Sequence, residues 1–520
     1  MKLSDCRLPM SALALAAALL WVPASYAAAP ETSRVIVAFK PGTHAAMKAA
    51  VVGARGAVKH DIVGMDAMAV ELPAQAVAAL SRNPNVVYLE DDVKRYPFAG
   101  TTPSTGSPYA TGQLVPYGIP MVQADQLSDS LAGNRMICII DSGYDRAHED
   151  LSAGNNVTGE YDSGTGWWYT DENHHGTHVA GTISALNNAG KGVVGVNPNG
   201  TIKLHIVKVF GAAGWAYSST LTTAANKCKS AGANVISMSL GGSRASKTEQ
   251  RAFDSLYSGG ILSIAAAGNA GTAAVSYPAG YGSVVSVAAI DEARQWATFS
   301  QFNSDVEIAG PGVNVLSTVP MNSGSASTLT VGSTTYAPGG MDGSPRATAT
   351  GALADFGLGG TAVVGSMSGK VCLIQRGTYD FATKVGNCQS SGGVGAVVYN
   401  NAAGGFGGTL GTTVTAIPSV TASDAEGTAL RNQFGQNATV AVTPASYAFF
   451  DGTSMATPHV SAVAALVWSR NLNCTAAQLR NSLNKSALDL GAAGRDTKFG
   501  FGLVQAKSAD DRIKSLGCGN

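Results

Sequence analysis

Five short runs of nearly unbroken apolar residues punctuate the middle of the chain: Met136-Ile137-Cys138-Ile139-Ile140, Leu204-His205-Ile206-Val207-Lys208-Val209, Asn234-Val235-Ile236-Ser237-Met238-Ser239, Ile261-Leu262-Ser263-Ile264-Ala265-Ala266 and Val284-Val285-Ser286-Val287-Ala288-Ala289. A strand with one wet face alternates apolar and polar residues, whereas runs like these predict strands buried on both faces. Between them, residues 179–188, 221–230 and 247–257 have helical length and periodicity. Strand and helix in alternation predict an α/β fold, a doubly wound, mostly parallel sheet. In such sheets functional groups gather at the carboxyl ends of the strands.

The pattern differs at both ends and once in between. Residues 34–93 read as strand, helix, strand, strand, helix, strand, a small α+β unit. The Gly-, Ser-, Thr- and Pro-rich residues that follow predict a flexible, cleavable linker over 98–112. Residues 322–445, rich in Gly, Ser, Thr and Val, interrupt the α/β pattern, which resumes over 446–520. At the start, Lys2 and Arg7 precede an apolar run over residues 11–22 and a small-residue stretch, Ala24-Ser25-Tyr26-Ala27-Ala28-Ala29. That order is expected of a secretory signal over residues 1–29.

At 520 residues the chain suggests two to four domains. Its 34 basic and 34 acidic residues balance, which gives no support for a nucleic-acid or anionic-membrane partner. Export to an oxidising compartment makes the cysteines informative. Cys6 leaves with the signal, and six remain. Proximity in sequence pairs Cys372 with Cys388 and Cys474 with Cys518, which leaves Cys138 for Cys228, although six cysteines permit 15 connectivities.

Gly452-Thr453-Ser454-Met455-Ala456-Thr457-Pro458-His459-Val460 sets a serine at the start of an apolar helical run. Unpaired backbone N–H groups there would meet a negative oxygen developing beside Ser454 Oγ. Alone, such a serine is an ordinary helix N-cap, with Pro458 tolerated in the first turn. Asp141 ends the first buried run and is either a loop acceptor or an orienting acid. His175 opens the next helical segment, in His174-His175-Gly176-Thr177-His178-Val179-Ala180-Gly181. His174 and His178 share the i, i+4 spacing of a zinc pair, but the place of the metalloprotease glutamate holds His175.

Asp141-Ser142-Gly143, His175-Gly176-Thr177-His178-Val179-Ala180-Gly181 and Gly452-Thr453-Ser454-Met455-Ala456-Thr457-Pro458, in that order, resemble the subtilisin-like serine proteases. The resemblance runs from about residue 113 to 506, interrupted once. It implies a Ser454–His175–Asp141 triad and an oxyanion-hole asparagine, Asn269, in Ala265-Ala266-Ala267-Gly268-Asn269. Losing such a donor costs on the order of 10²–10³ in rate, a figure taken from subtilisin itself. Ser239, Leu240 and Gly241 are expected to pair with an extended peptide substrate. Ser276 falls at the floor of the P1 pocket, which implies an apolar or aromatic P1.

The resemblance also implies structural Ca²⁺, held by Gln113, Asp150, Leu186, Asn188 and Val193. Here Ala189-Gly190-Lys191-Gly192 departs from the family's spacing by one residue and brings in a cation. Residues 30–97 resemble the family's inhibitory propeptide, and 322–445 its inserted protease-associated domain, a substrate-capturing module or a passive cover. The implied protein is a secreted, monomeric serine endopeptidase acting on protein and peptide substrates, with its own propeptide as inhibitor. Two other readings stay open: an inactive scaffold that binds proteins through the inserted domain, and a zinc hydrolase built on His174 and His178.

Overall fold

The computed structural model describes residues 32–61, 66–91, 101–211, 214, 216–402 and 404–520. The expected signal over residues 1–29 lies outside them. The chain divides into two units, Met1–Val93 and Lys94–Asn520.

In the first unit an antiparallel sheet runs in the order Ala57–Asp61, Ala67–Pro73, Thr32–Phe39, Val86–Asp91, with helices His44–Gly53 and Ala74–Leu80. Alternation along its central strands turns Val35, Val37, Phe39, Met68, Val70 and Leu72 inward onto Met47, Val51 and Leu80.

The second unit is built on a seven-stranded, all-parallel sheet. Its order is Val306–Pro311, Val284–Ile290, Leu262–Ala266, Val235–Met238, Met136–Asp141, Lys203–Lys208, Val157–Gly159. The strand Met136–Asp141 is buried on both faces: Ile137 and Ile139 enter one core with Val460, Val463 and Val467, while Cys138 and Ile140 enter the other with Ala225 and Phe253. The first core holds the helices His175–Ser184 and Thr453–Arg470, the second Ser218–Ala231 and Lys247–Ser258. Thr453–Arg470 is apolar all round because the fold wraps it, leaving only Ser454 and Arg470 outside its buried set.

Beyond the parallel sheet, Val315–Thr318 pairs antiparallel with Tyr447–Phe450. Between them a second seven-stranded sheet, ordered Thr334–Tyr336, Gly324–Val331, Asn437–Ala445, Thr348–Asp355, Lys370–Gln375, Gly395–Tyr399, Ser419–Ala422, carries helices Phe381–Ser390 and Asp424–Arg431. It has cores of its own, around Leu373 and Val397 on one side and Ile374 and Val398 on the other. The segments leading into and out of this second sheet are tied to the loop after Met136–Asp141, since Met321 N donates to Asp145 Oδ2 at 2.8 Å and His148 Nε2 meets Ser446 O at 2.8 Å.

Three disulfides form: Cys138–Cys228, Cys372–Cys388 and Cys474–Cys518. One expectation is corrected. The Gly/Ser/Thr/Pro stretch is not a flexible tether throughout, because Thr101–Pro103 forms an antiparallel ladder with Leu114–Pro116 and Ser104 N donates to Gln113 O at 2.7 Å. Backbone pairing of this kind does not depend on apolar side chains, so composition conceals it.

Candidate active site

Asp141 is the last residue of the strand Met136–Asp141 and has no exposed surface. Its Oδ1 accepts His175 Nδ1 at 2.8 Å and the backbone N–H of Ser142 at 2.8 Å. Its buried Oδ2 has no partner among the described residues. His175 is the first residue of its helix, entered through His174 at φ 74°. That turn lies against the loop after the strand so closely that a Cβ on Gly176 would strike the backbone of Gly143. The side chain of His175 keeps 26% of its surface. Burial alone would lower its pKa, but the charge and hydrogen bond of Asp141, with the charge of Asp171, raise it above the ordinary value. A carboxylate on Nδ1 fixes the neutral tautomer, since that nitrogen must carry the proton and Nε2 is left as the acceptor.

Ser454 is the second residue of Thr453–Arg470, behind the N-cap Gly452, so it is not itself the cap. Pro458 lies deeper than the first turn, where its missing N–H had a helical acceptor to lose: the Ser454 carbonyl. That carbonyl instead accepts Ser239 Oγ at 2.7 Å, and Ser454 Oγ in return donates to Ser239 O at 3.0 Å. The two serines thus clamp each other, and the Ser454 hydroxyl is bonded to Ser239 rather than to His175.

Asn269 accepts the backbone N–H of Thr453 at 2.9 Å and its hydroxyl at 2.8 Å, both on Oδ1. Two donors on one side assign the oxygen to that side, so Nδ2 faces away from them. Thr453, fully buried, also receives Gly268 N on Oγ1 at 3.1 Å. The sequence reading missed this threonine; its only signal was its place immediately before the serine. Asn269, Ser454, Leu240, Gly241 and Ser276 together line a cavity of about 340 Å³ with no charged residue on its wall. Gly241 needs its hydrogen, because a Cβ there would meet Ser276 Oγ. Ser239 is not on that wall; its hydroxyl serves the clamp.

The five oxygen-bearing residues expected to hold a cation gather around Asp150. Its carboxylate accepts Asn188 Nδ2 at 2.7 Å and Val193 N at 2.8 Å, and Gln113 Nε2 donates to Leu186 O at 2.7 Å. Gln113 is fully buried, and its Oε1 has no partner among the described residues. Burial pushes the Asp150 carboxyl up to about 7. An orphaned oxygen and a carboxylate short of compensating charge both fit a hard cation. Lys191 pairs with Glu149 at 3.7 Å.

His178 is not placed as a metal ligand. Its ring stacks on Phe450 with centroids 4.4 Å apart, its Nε2 is shared between Val315 O and Ala448 O, and burial pushes its pKa down to about 3.

Comparison with known proteins gives one answer. The sequence profile of the Subtilase family matches residues 133–356 and 425–502, and that of the PA domain residues 331–430. Subtilisin DY from Bacillus licheniformis is 41% identical over 217 residues, covering 40% of this chain and 77% of the relative. Subtilisin E from Bacillus subtilis (strain 168) is 36% identical over 301 residues, 55% of this chain and 73% of the relative. Among solved structures, the psychrophilic subtilisin-like protease Apa1 from Pseudoalteromonas sp. AS-11 is 45% identical, with a TM-score of 0.64, covering 78% of this chain and 99% of that one.

The clamp between Ser239 and Ser454 predicts that Ser239→Ala leaves the Ser454 carbonyl unpaired and costs about 1–3 kcal/mol of stability. Denaturant unfolding checks this, with Ser243→Ala on the cavity rim as the control expected to lie within about 0.5 kcal/mol of the parent.

Proposed function

The chain belongs to the subtilase family and is a serine endopeptidase, and from that premise we propose how its residues divide the cleavage of a peptide bond. Ser454 Oγ leaves Ser239 O and attacks the scissile carbonyl, while His175 Nε2 takes its proton and passes it to the leaving amine. Asp141 holds the imidazole by Nδ1 and stabilises the imidazolium as it forms. The oxygen of the tetrahedral intermediate lies between Ser454 N–H and Asn269 Nδ2, donors oriented before substrate arrives. The acyl group left on Ser454 is released by water through the same base. The observation carrying this reading is the 2.8 Å bond from His175 Nδ1 to a wholly buried carboxylate at the end of the strand Met136–Asp141.

The extended substrate pairs with the edge Ser239-Leu240-Gly241, and main-chain bonds of that kind make selectivity broad. Ser276 and the uncharged wall of the cavity favour an apolar or aromatic P1 side chain. Residues 30–97 act as an inhibitory propeptide that the enzyme removes from itself. The disulfides and the apolar run at residues 11–22 support a secreted enzyme.

Gln113, Asp150, Leu186, Asn188 and Val193 hold a structural Ca²⁺. Bound there, the ion supplies positive charge that keeps the Asp150 carboxylate ionised and ties the 186–193 loop to the start of the protease unit.

Two experiments test these assignments. Mass spectrometry after treatment with a sulfonyl fluoride is expected to show one adduct, mapped to the Ser454 peptide, with casein hydrolysis lost in the same sample. An adduct elsewhere, or activity surviving complete labelling, would reject Ser454 as nucleophile. Calcium at about 100 times its Kd is expected to stabilise the protein by about 2.7 kcal/mol in thermal unfolding. Asp150→Asn should abolish that dependence; a calcium shift unchanged in the variant would place the ion elsewhere.

A further inference from the structure

A second buried carboxylate lies beside the triad and takes no part in the proposed proton transfers. Asp171, 7% exposed, sits four residues before His175 in the approach to its helix. Five donors converge on it. Oδ1 accepts Ser142 Oγ at 2.8 Å, His174 N at 3.0 Å and Asn173 N at 3.2 Å. Oδ2 accepts Thr177 N at 2.8 Å and Thr177 Oγ1 at 2.6 Å.

The direction of every one of these bonds is fixed. The Ser142 hydroxyl already accepts Gly176 N at 2.8 Å, and that of Thr177 accepts Asp145 N at 3.1 Å, so each sends its own proton to Asp171. Only an acceptor with no proton to donate satisfies such a ring. The ring spans all that positions the base: Ser142 follows Asp141, His174 holds the φ of 74° before His175, and Gly176 and Thr177 complete the first turn of its helix. His174 makes no side-chain cap of its own, and the carboxylate of Asp171 takes that place. An anion there is also favoured by the helix dipole. From the other side, buried Lys208 anchors the segment through Thr170 O at 3.0 Å and Thr170 Oγ1 at 2.9 Å, and pairs with Glu172.

We infer that Asp171 is a positioning residue of the triad, the acceptor that holds the strained turn at His174 so that His175 faces Asp141, and a second negative charge felt by the imidazole. The inference rests on His175 being the general base. The groups facing that ring are Asp141 and Asp171, which raise its pKa, and His178, held neutral by burial. His175 acts as a base only when neutral, so activity falls on the acid side as it protonates. Removing the charge of Asp171 moves that acid limb to lower pH.

Asp171→Asn keeps the size but offers one acceptor oxygen and an amide that turns N–H groups toward donors. Its kcat is expected to fall at least tenfold with KM within about twofold, and the acid limb of kcat/KM to move to lower pH by several tenths of a unit. A kcat equal to the parent's, or a lowered kcat with the limb unmoved, overturns the inference. Should this variant not fold, Ser142→Ala decides: it removes the hydroxyl bridge between Asp171 and Gly176 and keeps the charge, so kcat should fall several-fold with the limb in place, and an unchanged kcat overturns the proposal. Fluorophosphonate labelling of the parent at Ser454 and loss of activity in His175→Ala separate this outcome from a failure of the triad itself.

Discussion

A carboxylate buried at the end of a strand is expensive unless something protonated stands against it, and here that partner is the imidazole of His175. Asp141 has no exposed surface, yet its Oδ1 holds both His175 Nδ1 and Ser142 N at 2.8 Å. The contact settles several matters at once. It assigns the proton of the neutral ring to Nδ1, leaves Nε2 as the acceptor, and raises the affinity of that ring for a second proton. The rest of the site must deliver His175 to that one place, which explains why the chain accepts a left-handed φ at His174 and leaves no room for a Cβ at Gly176.

Ser454 is placed by a different compromise. Thr453–Arg470 runs buried through the core, and in its first turn Thr453, Met455 and Ala456 are all buried. Pro458 breaks the helical ladder where it would have consumed the Ser454 carbonyl, and Ser239 from the neighbouring strand end repairs the break. A defect in one element is thereby turned into a cross-link to another. Thr453 makes a comparable link, since its backbone and hydroxyl together hold Asn269 by the oxygen and present the amide nitrogen to the cavity. Charge stabilisation by such donors is effective because they are set before the reaction begins.

Much of this was legible in the chain. The parallel sheet was, because strands such as Met136–Asp141 and Val284–Ile290 are buried on both faces and leave nearly continuous apolar runs. The helix expected over 179–188 instead spans His175–Ser184. Its first turn faces the site and is polar, so the apolar periodicity begins too late, while Asn187 and Asn188 belong to the loop after it. Motif order brought Asp141, His175 and Ser454 into view as a set. What supports them was hidden: the role of Pro458 depends on its depth in the helix, and Asp171 gathers donors from Ser142 to Thr177 that only the folded loop brings within reach.

The buried Asp141 carboxylate fixes which nitrogen of His175 carries the proton. Nitrogen-15 NMR of the histidine-labelled enzyme, followed through the acid limb of activity, reads this directly. The neutral ring is expected to be protonated on Nδ1, with Nε2 taking the second proton as activity is lost. A neutral His175 protonated on Nε2, or a ring whose titration does not track activity, would contradict it.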